Sequence, residues 1–148
     1  MSIDDAILNK PGRLTSEEFE IMKTHTTIGA DMLLELGSHH AGNALMEYAY
    51  QIARWHHERW DGKGYPDALK GDEIPIAAQV VSVADVYDAL TSVRVYKDAI
   101  PHEEAIQMIL DGKCGTFNPL LLDCLLEVQD QIAETLARPA DVVAFPTI

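Results

Sequence analysis

At 148 residues the chain falls within the size of one ordinary domain, and its 47% hydrophobic content is enough for a single packed core. Its 24 acidic and 11 basic side chains give a net charge of −13, which excludes general binding to a nucleic-acid polymer, so a phosphate-bearing ligand needs local cations or bound metal. No apolar run is long and charge-free enough for membrane insertion, no secretory signal is present, and Cys114 and Cys124 lack CxxC spacing; together these predict a cytoplasmic protein with reduced thiols.

In chain order, the first dozen residues end in Asn9-Lys10-Pro11-Gly12 and read as a connector. Thr15-Ser16-Glu17-Glu18 has the capping-box form and predicts a helix closed by Gly37, with Phe19, Met22, Ile28, Met32, Leu33 and Leu36 as its apolar positions. Thr26, Thr27 and Gly29 weaken its middle, so a bend is expected near His25. Over residues 41–57, Leu45, Ala49, Ile52 and His56 recur at helical spacing. His56 continues that face, and His57 should point about 100° away, letting the pair address two different points. Glycines and Pro66 make residues 58–74 a structured loop.

Pro75 fits the first position of a helix over 75–90 that is apolar nearly all round, the pattern of a helix buried at the centre of a domain. Residues 101–112 predict another helix, with Ala105, Ile106, Ile109 and Leu110 on one side. Asn118-Pro119 offers an N-cap and a first-turn proline for a last helix to about Ala137, with Leu122, Leu125, Val128, Ile132 and Leu136 inward. No strand alternation or hairpin signal is present, so the class is all-α, with about five helices. One domain spans 1–137, and 138–148 reads as a loosely attached tail.

Asp85 lies among Val80, Val81, Val83, Val86 and Leu90, where burying a charged carboxylate costs several kcal/mol unless a cation or strong donors meet it. A metal ion is one such partner; a helix end or an arginine is another. His56 alone reads more often as a core histidine, but two adjacent imidazoles point to metal ligation, and His25 supplies a third. His39, His40 and His102 sit in polar or terminal settings and carry no functional reading. Arg94 and Lys97, three apart, suit either a phosphate clamp or a solvated basic pair.

The run from His56-His57-Glu58 to Gly64-Tyr65-Pro66, with Leu69-Lys70-Gly71-Asp72-Glu73-Ile74-Pro75 and Val83-Ala84-Asp85-Val86-Tyr87-Asp88-Ala89-Leu90-Thr91-Ser92, resembles the HD-GYP family. That family is the subgroup of HD-domain metal-dependent phosphohydrolases that hydrolyses the bacterial second messenger cyclic di-GMP. Asn9-Lys10-Pro11-Gly12, Met22-Lys23-Thr24-His25 and Gly115-Thr116-Phe117-Asn118-Pro119 fall in the same order, so the resemblance covers nearly the whole chain. It implies an HD-domain-like helical bundle in which His25, His56, His57 and Asp85 are ligands of two or three divalent ions, iron or manganese. Arg94 and Lys97 match positions that hold the substrate's phosphates and stabilise the transition state of phosphodiester hydrolysis. Gly64, Tyr65 and Pro66 match the loop beside the site, which is also implicated in contacts with diguanylate cyclase (GGDEF) domains.

The family's HD-x-GK segment would end where Met1 begins, and no His-Asp dipeptide occurs elsewhere, so an N-terminally truncated bundle is expected. Apolar surface uncovered in this way favours a homodimer. Val93 and Val95 flank Arg94 where Asp and Pro are usual, and Asn118 stands where Asp is common. Two readings follow: a cyclic di-GMP phosphodiesterase, or a catalytically incompetent module that binds a GGDEF domain or a nucleotide through the Gly64-Tyr65-Pro66 surface.

Overall fold

The computed structural model describes residues 3–37, 43–93 and 98–137; Arg94, Lys97, His39, His40 and the 138–148 tail lie outside them. The described elements run α1 (Asp5–Leu8), α2 (Ser16–Lys23), α3 (His25–Gly37), α4 (Ala44–Trp55), a 3-10 turn at Gly71–Glu73, α5 (Ile76–Thr91), α6 (His102–Leu110) and α7 (Pro119–Ala137). The class is all-α; among the described residues β pairing is confined to one isolated bridge, Lys113 to Gly115.

The entry to α2 forms as its sequence requires. The Thr15 hydroxyl accepts from the Glu18 N–H at 3.2 Å, and the Glu18 carboxylate accepts from the Thr15 N–H at 2.7 Å. Lys10 closes on the same carboxylate at 2.6 Å, anchoring the preceding segment. That segment is more ordered than a connector: Asp4 accepts from the Ala6 N–H at 2.8 Å and caps the short α1. The bend expected near His25 is a complete break at Thr24. The Thr24, Thr26 and Thr27 hydroxyls each donate to the carbonyl three residues back, at 2.6, 2.9 and 3.0 Å.

Packing is serial, α3 on α4, α4 on α5, α5 on α6 and α6 on α7. The core gathers Val83, Tyr87 and Leu90 with Ala105, Ile106 and Ile109, closed by Phe117 and Leu125. The expected all-round burial of α5 does not occur. Val80 is 50% exposed because it lines an apolar groove of about 420 Å³ between α5 and α7, and Asp85, outside that groove, is exposed as well. Val128, which lines the same groove, is 40% exposed and Leu136 is exposed too, although Leu125 points inward as predicted. Both cysteines are free thiols, and no described helix is long and apolar enough to cross a membrane.

Asn43 caps α4 by accepting from the Leu45 N–H at 3.0 Å, and the helix stops at Trp55, two residues short of its expected end. That early stop determines the geometry of the site.

Candidate metal centre

Three imidazoles converge where α2 gives way to α3 and where α4 ends. His25 opens α3, His56 occupies the C-cap of α4, and His57 lies in the following turn. One ring nitrogen from each falls within 4.8 Å of the others. The expected divergence of His56 and His57 is therefore corrected. Helical spacing no longer applies past Trp55, and the two ring centroids lie 4.0 Å apart.

Hydrogen bonding fixes which nitrogens face the centre. His25 Nδ1 lies 2.7 Å from the Met22 carbonyl, and His56 Nδ1 lies 2.7 Å from the Ile52 carbonyl. A carbonyl only accepts, so both Nδ1 atoms are the donors, which turns both Nε2 atoms toward the centre. Those two Nε2 atoms face each other at 3.4 Å. Two imidazole nitrogens at that distance suit a shared cation, since nitrogens at about 2.1 Å from a tetrahedral ion lie roughly 3.4 Å apart. The donor set thus fits a divalent metal.

His57 is held neutral. Loss of hydration, reinforced by His56, His25 and Arg59, pushes its pKa down to about 3, so its lone pair is available at neutral pH. The Tyr65 ring stacks on the His57 ring with centroids 4.8 Å apart and planes 26° off parallel, which fixes the ligand's orientation. Burial also pushes the Tyr65 hydroxyl up to about 12.

The loop that delivers Tyr65 is anchored from beneath. Gly64 passes so close to the backbone of His57, Glu58 and Arg59 that a β-carbon would overlap all three. The Tyr65 N–H donates to the His57 carbonyl at 3.2 Å. Glu58, only 2% exposed, accepts from the Asp67 N–H at 2.7 Å and the Leu69 N–H at 3.0 Å. Burial raises the Glu58 pKa while these amides oppose the rise. Asp67 is in turn gripped by Arg54 at 2.8 Å and by the Trp55 indole at 2.8 Å.

Arg59 donates to the Glu58 carbonyl at 2.9 Å and to the Ser82 hydroxyl at 2.8 Å, and its guanidinium lies 5.3 Å from the Phe117 ring centroid. Desolvation lowers its pKa. It ties the loop to α5 and to the segment before α7, and Gly115 leaves room for it: a β-carbon there would lie 2.6 Å from Arg59 Nε.

The sequence-derived site residues are not all gathered in one place. His25, His56 and His57 are together, and Gly64, Tyr65 and Pro66 form the adjoining loop. Asp85 is exposed and outside the three-histidine cluster, so no burial penalty attaches to it; its charge is nonetheless felt by Tyr65 and Arg59, which places it on the near side of α5. Arg94 and Lys97 lie outside the described residues. Glu58 and Arg59 are the structural anchors that sequence reasoning missed, since nothing in the primary structure shows which loop amides and hydroxyls they meet.

An HD-domain model matches residues 2–119 of the chain. Over 141 residues the chain is 41% identical to a cyclic di-GMP phosphodiesterase of Vibrio cholerae serotype O1, covering 95% of this chain and 29% of that protein. Over 143 residues it is 45% identical to a cyclic di-GMP phosphodiesterase of Thermotoga maritima, covering 95% of this chain and 37% of that protein. It is also 40% identical, over 141 residues, to the 3′3′-cGAMP-specific phosphodiesterase 2 of Vibrio cholerae serotype O1, covering 95% of this chain and 26% of that protein. The chain therefore spans about a third of the length of these relatives. On the match to the HD-domain model, the convergent histidines with their Gly64-Tyr65-Pro66 loop, and these relatives, the chain belongs to the HD-domain family, in its HD-GYP subgroup.

Proposed function

We propose that this chain is a metal-dependent phosphodiesterase module that hydrolyses cyclic di-GMP. The observation that carries the reading is the pair of Nε2 atoms facing each other at 3.4 Å, in a chain whose relatives are named for cyclic-dinucleotide hydrolysis. His25, His56 and His57 would hold a divalent ion, iron or manganese, with Asp85 a further ligand in a centre of two or three ions. When bound, such ions supply Lewis-acid activation of the attacking water and neutralise charge on the phosphodiester oxygens.

The protein's own groups do the rest. The Met22 and Ile52 carbonyls hold two imidazoles in the ligating tautomer. Tyr65 fixes the third imidazole and covers one of its faces. Arg94 and Lys97 would grip the substrate's phosphates and stabilise charge as the P–O bond breaks. Contact of the Gly64-Tyr65-Pro66 loop with a GGDEF domain, and homodimerisation, belong to the same proposal. The uncovered groove between α5 and α7 supports the latter.

The test is to purify the protein without oxygen, quantify bound iron and manganese, and follow cyclic di-GMP conversion to the linear dinucleotide or GMP. Bound metal and turnover, both lost in His25→Ala and His56→Ala, are expected. A folded protein that takes up neither ion and leaves the substrate intact overturns the reading. For the partner, titration with a diguanylate cyclase domain should show weaker binding for Tyr65→Ala than for wild type; equal or absent binding removes that role.

A further inference from the structure

A file of aromatic rings leads outward from the histidine cluster. From His57 the chain of contacts passes to Tyr65 by the 4.8 Å stack and on to Phe19 of α2 by an edge contact of 6.3 Å. The Lys23 ammonium lies over both outer rings, 5.2 Å from the Phe19 centroid and 5.6 Å from the Tyr65 centroid, and its charge is steadied by Glu20 at 2.6 Å. Phe19 is nonetheless 46% exposed, because it forms a wall of an open groove of about 530 Å³ shared with Gly12, Arg13 and Leu14. That volume falls in the range of small-ligand sites.

Arg13 is exposed and has no carboxylate partner among the described residues, which is unusual in a chain of net charge −13. A planar ring wall beside an unpaired guanidinium, one aromatic contact beyond a phosphodiester-cleaving centre, matches the chemistry of a purine. A base stacks on the ring, and guanine alone among the bases offers the O6 and N7 acceptors that arginine reads with two parallel N–H donors.

We propose that Phe19 and Arg13 form a guanine subsite, with Phe19 the stacking wall and Arg13 the donor to the guanine edge, and with Lys23 clamping the Phe19 and Tyr65 rings in place. The proposal rests on the phosphodiesterase reading above: the scissile phosphate lies at the histidines and the attached nucleoside extends over Tyr65 to Phe19. It assigns base preference to the turn before α2, remote in sequence from the motif that positions the metal ligands.

Wild type, Phe19→Ala, Phe19→Trp and Arg13→Ala should be compared on cyclic di-GMP, cyclic di-AMP and methyl p-nitrophenyl phosphate, a phosphodiester without a purine. Stacking of one base sets the scale at roughly tenfold or more. Phe19→Ala should lower kcat/KM for cyclic di-GMP by that factor relative to the purine-free diester, mainly through KM, and Phe19→Trp should restore it. Arg13→Ala should lower the preference for cyclic di-GMP over cyclic di-AMP. Equal changes on all substrates, or none, overturn the subsite while leaving the phosphodiesterase reading intact. If wild type cleaves neither class, calorimetric binding of cyclic di-GMP to the same four proteins decides the subsite alone. Tenfold weaker binding by Phe19→Ala supports it, and equal binding, or no binding by wild type, overturns it.

Discussion

Gly64 is the residue at which one added methyl group meets most resistance. The overlapping atoms belong to the backbone of His57, Glu58 and Arg59, so no rotamer change can relieve them. Gly64→Ala should therefore destabilise the fold by about 3 kcal/mol or more and release Tyr65 from His57, measured by urea denaturation and near-UV circular dichroism. Gly29→Ala is the contrast. Its β-carbon would meet only Ala53 at an ordinary 3.7 Å, and relief of glycine's helix penalty should stabilise by roughly 0.5–1 kcal/mol. His57 makes a pH prediction. Its pKa is 6.5 in the unfolded chain and about 3 when folded, so between those values the unfolded state binds a proton that the folded state refuses. Its stabilising contribution is complete above the unfolded value and is lost as pH falls toward 3. In chelator-treated protein, stability should decline less steeply from pH 6.5 to 4 in His57→Ala than in wild type.

At the scale of elements, the asparagine that departs from the usual family residue acquires a reason. Asn118 Oδ1 accepts from the Leu120 N–H at 3.0 Å and caps α7, while its Nδ2 donates to Gln79 Oε1 at 2.9 Å. The buried Gln79 amide donates onward to the Ile74 carbonyl at 2.7 Å, joining the start of α7, the body of α5 and the end of the loop. Asn118→Ala should cost about 2 kcal/mol, from a lost cap and an unpaired buried amide oxygen. Asn118→Asp should fall between it and wild type, since an aspartate caps but cannot donate; thermal denaturation of the three proteins checks the order. This asymmetry also shows what was legible in the chain. The capping box at Thr15, the bend near His25 and the start of α7 are written in contiguous residues, and so is the presence of three histidines of ligating type, although His56 and His57 were expected to address two different points. Burial of Asp85 was misread because a helix rich in valine does not reveal which of its faces a neighbour covers. The convergence of His56 and His57 was misread because the stop of α4 at Trp55 rests on the loop, whose anchors Glu58 and Asp67 act on groups distant in sequence.

At the scale of the whole molecule, a net charge of −13 draws divalent cations to the entire surface, so any ion effect has to be separated from this diffuse attraction. The bonds from His25 Nδ1 and His56 Nδ1 provide the means. Their acceptors, the carbonyls of Met22 and Ile52, belong to the last turns of α2 and α4. An ion held by the opposite ring nitrogens therefore binds well only while those turns are wound. Manganese or ferrous iron should raise the melting temperature, with about 2.7 kcal/mol of stabilisation at a hundredfold excess over Kd. Calcium at the same ionic strength should not do so, and His56→Ala should lose the response. Unwinding and release of the ion become one event, so a simple melting curve can serve as a gauge of occupancy and rank the metals by preference before any substrate is added.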